Sequence, residues 1–179
     1  MKRLTLLRHA KSGDDGMAKR DFDRPLNAKG RKVARAIGRY LRDEGAHFDR
    51  ILASPALRVA ETLEEVSAGY GPGIDPAWER RIYLGTADEL LDVLHEVPDE
   101  ADDVLLVGHN PGLEELVLML VPEGEQSERR TVQEKYPTAS VAEIDLDTSS
   151  WARLTPGSGR LKRFTRPRDL DPAFGPDQP

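Results

Sequence analysis

An α/β chain with helices on both faces of a largely parallel central sheet is the architecture this sequence predicts, and three observations carry it. Leu4-Thr5-Leu6-Leu7, Ile51-Leu52-Ala53 and Val104-Leu105-Leu106-Val107 are short apolar runs with the length of buried strands. Each is followed, directly or after a loop, by residues whose apolar positions recur at helical spacing. Strands that alternate with helices in this way build a three-layer α/β/α sandwich. No internal repeat or low-complexity linker divides the 179 residues, so 1–179 is expected to be a single domain with a partly ordered tail over 156–179.

The first strand closes on Arg8-His9, and the polar segment from Lys11 to Leu26 reads as a loop. Asn27 is the N-cap of a helix whose apolar stripe is Val33, Ala34, Ile37, Tyr40 and Leu41, ending at Gly45. After the second strand, Ser54 supplies a capping side chain and Pro55 the first helical position, which opens a helix through Leu57, Ala60 and Leu63 and puts Arg58 in its first turn. Gly69-Tyr70-Gly71-Pro72-Gly73 breaks that helix, and Ile74 to Trp78 is a brief strand. Thr86-Ala87-Asp88-Glu89 is a capping box for a helix bearing Leu90, Leu91 and Leu94, which Pro98 ends. The third apolar run reaches the turn Gly108-His109-Asn110-Pro111-Gly112, and Leu113, Leu116, Val117 and Leu120 line the helix beyond. Residues 122–137 are polar and read as a long connection. Val141, Ile144 and Leu146 are expected to pair with Trp151 to Leu154 in a final hairpin.

Composition removes several chemistries. The chain has no cysteine, which excludes a disulfide framework, a thiolate nucleophile and a zinc-thiolate site. No run approaches the roughly 18 apolar residues of a membrane span, and Met1-Lys2-Arg3 leads into a strand rather than a signal-peptide core, so a soluble, cytoplasmic protein is expected. The formal charge of -6 argues against general affinity for nucleic acid or for an anionic membrane. An anionic ligand then needs a local basic pocket. The late cluster Arg160, Lys162, Arg163, Arg166 and Arg168, interleaved with proline and glycine, reads as a solvated tail.

The chemistry gathers where the strands end. Arg8-His9, Ser54 with Arg58 just beyond, and His109-Asn110 each follow an apolar run, and ligands of open α/β sheets bind at that carboxyl edge. Two arginines supply planar, permanently charged forks suited to phosphate oxygens, and helix starts after Ser54 and Pro111 add oriented N–H donors. Taken singly, the two histidines fit strand-end residues satisfied by backbone, the arginines fit surface charges with apolar stems, and Ser54 fits a helix cap. Their convergence favours a pocket for a phosphoryl group. His47 and His95 have no such neighbours and read as helix-terminus or surface residues.

These segments resemble the histidine phosphatase superfamily, whose signature is Arg-His-Gly or Arg-His-Ala after the first strand; here it is Leu7-Arg8-His9-Ala10. Arg24-Pro25-Leu26-Asn27-Ala28-Lys29-Gly30 resembles that family's approach to its first helix, and Ser54-Pro55-Ala56-Leu57-Arg58-Val59-Ala60-Glu61-Thr62 its second arginine segment. Val107-Gly108-His109-Asn110-Pro111-Gly112-Leu113-Glu114 resembles the second histidine segment of the compact bacterial SixA-like phosphohistidine phosphatases. The ordered blocks span residues 4 to 120, and Pro137-Thr138-Ala139-Ser140 extends the likeness.

The resemblance implies a phosphoglycerate mutase-like fold, His9 as nucleophile, and Arg8, Arg58 and His109 as the groups that bind and transfer the phosphoryl group. Those roles are physically coherent. A neutral imidazole attacks through one nitrogen when a hydrogen bond at the other fixes its tautomer, and two arginines with a hydrogen-donating His109 stabilise the developing charge. No cofactor and no metal is expected. For the proton donor, Glu79 in Trp78-Glu79-Arg80-Arg81-Ile82-Tyr83 loosely resembles the acid loop of the phosphoglycerate mutase branch, and reads equally as a surface carboxylate paired with Arg80 or Arg81. Glu114, at a helix start, is an alternative that also fits a dipole-stabilising role. An imidazole leaving group, with a free pKa of about 6.5, departs with less help than an alkoxide, so an ambiguous acid weighs less against a phosphohistidine substrate.

The expected activity is that of a metal-independent phosphatase acting on phosphohistidine of a protein, or on small phosphomonoesters, through a phosphohistidine intermediate. The expected partner is the phosphate-bearing substrate. A phosphoglycerate mutase-like phosphotransferase and a non-catalytic phosphate-binding module stay open as alternatives. A short chain without a large insertion leaves the pocket accessible to a protein side chain, with residues 122–137 either shaping one wall or forming a variable surface connection.

Overall fold

The computed structural model describes residues 1–13, 20–124 and 127–176. Among these residues six strands, β1 (Lys2–Arg8), β2 (Arg50–Ala53), β3 (Ala77–Trp78), β4 (Asp103–Gly108), β5 (Val141–Leu146) and β6 (Gly159–Thr165), form one sheet in the order β3-β2-β4-β1-β5-β6. The first four in that order run parallel, whereas β5 and β6 join antiparallel. Among the described residues six helices accompany them: α1 (Ala28–Asp43), α2 (Leu57–Tyr70), α3 (Ala87–His95), α4 (Gly112–Leu120), α5 (Ser127–Glu134) and α6 (Pro167–Leu170).

The strand pleat divides the core into two layers. Leu4 and Leu6 of β1 and Val104 and Leu106 of β4 pack with α3, α4 and α5, while Leu7, Leu105 and Val107 face the opposite way with α1 and α2. Because helices cover both faces, apolar residues in the central strands point both ways, as Leu6 and Leu7 in β1 and Val104 to Val107 in β4 do. The two helices of the second layer touch closely: a Cβ on Gly38 would stand 2.1 Å from the Val66 carbonyl oxygen, and one on Gly69 2.1 Å from that of Arg35. Only glycine permits that backbone approach at either position. Asn27 caps α1, its side chain accepting from Gly30 N–H at 2.7 Å, and Thr86 with Glu89 forms the capping box of α3.

Several expectations need correction. Trp151 to Leu154 is not the partner of β5: Trp151–Arg153 is a 3-10 turn whose indole is fully buried, with Nε1–H donating to the Ala101 carbonyl at 2.6 Å. The partner is β6, which follows the Thr155-Pro156-Gly157-Ser158 turn, where Gly157 takes φ +80°. The basic cluster is therefore largely an edge strand and not a solvated tail. Along β6, Leu161 and Phe164 turn inward while Arg160 and Lys162 are exposed, and Arg163 bonds Glu143 and Glu44. Such charged outer residues protect a sheet edge from pairing with another chain. Within 122–137 the chain forms α5, docked by buried Val132 and Tyr136 and by Arg129 Nε–H donating to Val121 O at 2.8 Å. Helix α2 starts later than expected, with Ala56 as its N-cap, so Ser54 is not a cap and Pro55 is not at the first helical position. The strand expected over Ile74 to Trp78 contracts to β3. In the Lys11–Leu26 loop, Asp21–Asp23 is a 3-10 turn and Ser12 bridges Leu26; residues 14–19 lie outside the described residues. Among the described residues, no helix is long and apolar enough to cross a membrane.

Candidate active site

Strands β2, β4 and β1 are neighbours and parallel, so their carboxyl ends lie on one edge of the sheet. Ladder bonds persist one residue past the strand ends: His9 N–H donates to Gly108 O and Ser54 N–H to Val107 O, both at 3.1 Å. This register brings His9, Ser54 and His109 together, and the first turn of α2 adds Arg58.

His9 is 7% exposed, and its Nδ1 lies 2.7 Å from the Ala10 carbonyl oxygen. A carbonyl only accepts, so Nδ1 carries the hydrogen and Nε2 keeps the lone pair. Burial pushes the His9 pKa down to about 3; the Ala10 bond opposes the shift, and His109, Arg8 and Arg58 add to it. His9 is thus neutral at physiological pH. The His109 ring lies 5.3 Å away, centroid to centroid, tilted by 53°.

His109 is fixed at both nitrogens. Arg58 Nη2 approaches Nδ1 at 3.3 Å and, being a donor only, makes Nδ1 the acceptor; Nε2–H then donates to Ser54 Oγ at 2.7 Å. Burial, followed by Arg58, lowers the His109 pKa to about 4. The Ser54 side chain, fully buried, accepts this bond and a second, longer one from Ala56 N–H at 3.3 Å, so it fixes the tautomer while touching the approach to α2. Arg58 is itself buried and donates through Nη1 to Asp21 O at 2.8 Å and through Nη2 to Asp21 Oδ2 at 3.0 Å.

Arg8 donates through Nη1 to Tyr136 O at 2.8 Å, and its buried Nε has no partner among the described residues. Desolvation lowers its pKa, and Arg58 lowers it further while Tyr136 and Glu114 act in the other direction. The strand end is held from below and above. Thr62 Oγ1 accepts from Ala10 N–H at 2.9 Å and donates to Arg58 O at 2.6 Å, tying the end of β1 to α2. Ala139 N–H is shared between Arg8 O and His9 O at 3.0 Å each, in a left-handed conformation of φ +61° that is strained for a residue with a Cβ.

Two pocket residues had no signal strong enough to find them. Asp21 accepts from Arg58, from Arg24 at 3.1 Å and from Tyr83 Oη at 2.7 Å, and these donors, the tyrosine foremost, draw its pKa down to about 2. Tyr83 also packs edge-on against His109 at 5.4 Å and Phe22 at 5.1 Å. Asp21 stands three residues before Arg24 in a segment already matched to the family, which was the available clue. The close approach of Gly112 to Gly85, where a Cβ would meet the carbonyl oxygen at 2.1 Å, presses the His109 turn against the Tyr83 turn.

Glu79 stands apart from this constellation. It caps the 3-10 turn Arg80–Ile82, accepts from Arg81 N–H at 3.0 Å and from Arg81 Nε–H at 3.0 Å, and contacts none of Arg8, His9, Arg58 or His109. Arg81 holds its pKa below the ordinary value. Glu114 lies in the first turn of α4. His47 bonds Asp49 and His95 bonds the Leu154 carbonyl, both away from the pocket. Among the described residues, no three His, Cys, Asp or Glu side chains cluster as metal ligands would.

Comparison with known proteins agrees with this geometry. A profile of the histidine phosphatase superfamily (branch 1) matches residues 4–82. The phosphohistidine phosphatase SixA of Escherichia coli is 29% identical over 80% of this chain and 85% of its own length, and the SixA homolog of Haemophilus influenzae is 31% identical over 65% and 76%. The structure of a putative phosphohistidine phosphatase SixA from Nakamurella multipartitia superposes with a TM-score of 0.80 at 28% identity, covering 93% of this chain and 96% of that one. With the Arg8-His9 strand end, Arg58 and His109 meeting on one sheet edge, this chain belongs to the histidine phosphatase superfamily and has SixA phosphohistidine phosphatases among its relatives.

Proposed function

We propose that this chain removes phosphate from phosphohistidine on a protein, and secondarily from small phosphomonoesters, through a covalent intermediate on His9. The observation that carries the reading is the fixed tautomer of a neutral, buried His9 beside two guanidinium groups. Nε2 attacks phosphorus in line with the leaving nitrogen, forming one P–N bond while the other breaks. The departing imidazole takes up a proton from solvent water and leaves as the neutral ring. Water then attacks phospho-His9, releasing inorganic phosphate and restoring the neutral ring.

Arg8 and Arg58 neutralise the equatorial oxygens, which lets the step proceed without a metal. A phosphoryl dianion beside His109 raises its pKa from the depressed value, so the ring becomes a cationic donor when substrate binds. An imidazole leaving group suits a pocket in which the carboxylate bonded to Arg58, Asp21, is kept ionised by its donors.

The test is to react enzyme with a phosphohistidine protein labelled in its phosphate and quench in alkaline denaturant, which preserves phosphohistidine. Label is expected on the wild-type chain at His9 and absent from His9→Ala, with turnover abolished. Normal turnover in the folded alanine variant rules out the covalent mechanism.

A further inference from the structure

Next to the phosphoryl pocket lies a second cavity of about 290 Å³, and Arg8 lines it too. Its other charged walls are all basic: Lys11 after β1, Lys29 of α1, Lys135 after α5, and Arg166 and Arg168 at α6. No acidic side chain lines it among the described residues, although the chain as a whole carries a formal charge of -6. Between the cations, Val33, Pro137 and Phe174 supply an apolar floor.

The walls are fixed by contacts elsewhere. Lys29 Nζ donates to Gly175 O at 2.9 Å, which seats the segment after α6 against α1. Arg166 is engaged by Asp169 at 3.1 Å. Asn27 N–H donates to the Lys11 carbonyl at 3.0 Å, and Lys135 N–H to Thr131 O at 3.0 Å, so both backbones are anchored. The Lys11 and Lys135 ammonium groups, on exposed residues, have no hydrogen bond or ion pair among the described residues.

We propose that this cavity receives an acidic side chain of the protein substrate, a glutamate best of all, close to the phosphohistidine. The inference rests on the phosphohistidine reading above and names the feature by which that site chooses its substrates. A glutamate matches the walls in both respects: its methylenes cover the apolar floor while its carboxylate meets Lys11 and Lys135. A bare second phosphate would leave the floor uncovered. Sharing Arg8 makes the two subsites contiguous, so one short segment of chain fills both.

The experiment compares phosphohistidine peptides with glutamate, glutamine or lysine at flanking positions, using wild type and the Lys11→Ala/Lys135→Ala double variant. Wild type should prefer the glutamate peptide by roughly tenfold in kcat/KM, through KM, which is about 1.4 kcal/mol shared between two rim contacts. The preference should fade with added salt and vanish in the double variant, whose kcat and whose hydrolysis of nitrophenyl phosphate stay unchanged. Equal rates on all peptides overturn the inference alone and leave the phosphohistidine reading intact. Failure to cleave any peptide while nitrophenyl phosphate is cleaved overturns both. A glutamate preference that survives in the double variant places the selecting contact elsewhere and also rejects the cavity.

Discussion

Two charged regions near the same sheet edge behave in opposite ways. Around Glu79 the charges satisfy one another: Arg81 bonds both Glu79 and Glu96 on the surface, and Glu79 is held below its ordinary pKa. Around His9 the positive groups outnumber their partners. Arg8 Nε is buried and unbonded, both histidine pKa values are driven down, and Asp21 is the one carboxylate bonded to Arg58 among the described residues. A self-satisfied surface network contributes little to stability or chemistry. A buried excess of donors costs stability and is complementary to an anion, which makes it the better marker of function.

The sharpest way to break that contrast is to remove the Arg58 guanidinium, the proposed phosphate fork. Arg58 presents two nitrogens, one shared between Asp21 and His109, and its planar geometry suits two oxygens at once. Arg58→Ala is expected to lower kcat/KM by about 10²–10³-fold, in line with the loss of charge-assisted bidentate contacts. Arg58→Lys should recover little of it, because an ammonium supplies charge without the fork. Wild-type kcat/KM in the lysine variant would show that only net charge matters here.

A smaller effect comes from the histidines' own titration. For a depressed pKa the unfolded chain binds the proton first, so stability is full above the ordinary value of about 6.5 and falls as pH drops toward the folded values of about 3 and about 4. Between pH 6.5 and 5 each buried histidine is expected to cost about 2 kcal/mol. Asp21 works in the same direction but only below its ordinary pKa of 3.8, outside that window. Urea unfolding at the two pH values measures the sum, and His9→Ala should remove about half of the slope. An unchanged slope would mean that His9 is not held neutral by burial.

How much of this was legible beforehand depends on how local each signal is. Arg8, His9, Arg58 and His109 follow apolar runs or open a helix, so chain position alone placed them on one edge. Ser54 was placed on the same edge, but its capping reading fails: a serine before proline looks like a cap, whereas the hydroxyl's short bond is to His109, 55 residues away. Asp21 and Tyr83 sit 62 residues apart and meet only through tertiary packing. Strand β6 was hidden because its alternation is carried by Leu161 and Phe164 among basic residues and is interrupted where β6 bulges at Lys162, opposite Glu143/Ile144. Helix α5 offered only Val132 as a buried apolar anchor, with Tyr136 two residues beyond its end.

The mildest expected effect falls on Glu79, where the family resemblance and the geometry pull apart. A general acid must hold its proton near working pH, which calls for a pKa raised by burial or by a neighbouring anion. Glu79 has the reverse environment: the Arg81 side chain and backbone both stabilise its ionised form. Were it nonetheless the donor, Glu79→Gln would depress hydrolysis of an alkyl phosphate by about 10²–10⁴-fold while sparing phosphohistidine and nitrophenyl phosphate, whose leaving groups need less help. The geometry instead predicts a change below about twofold on all three, the scale of a lost surface ion pair. Measuring kcat/KM for the three substrates with both proteins separates the cases, since a loss that grows with leaving-group basicity has no source in a surface contact. Such a loss would require the 3-10 turn at Arg80–Ile82 to release the carboxylate from Arg81 when substrate binds, turning the self-satisfied region into part of the catalytic one.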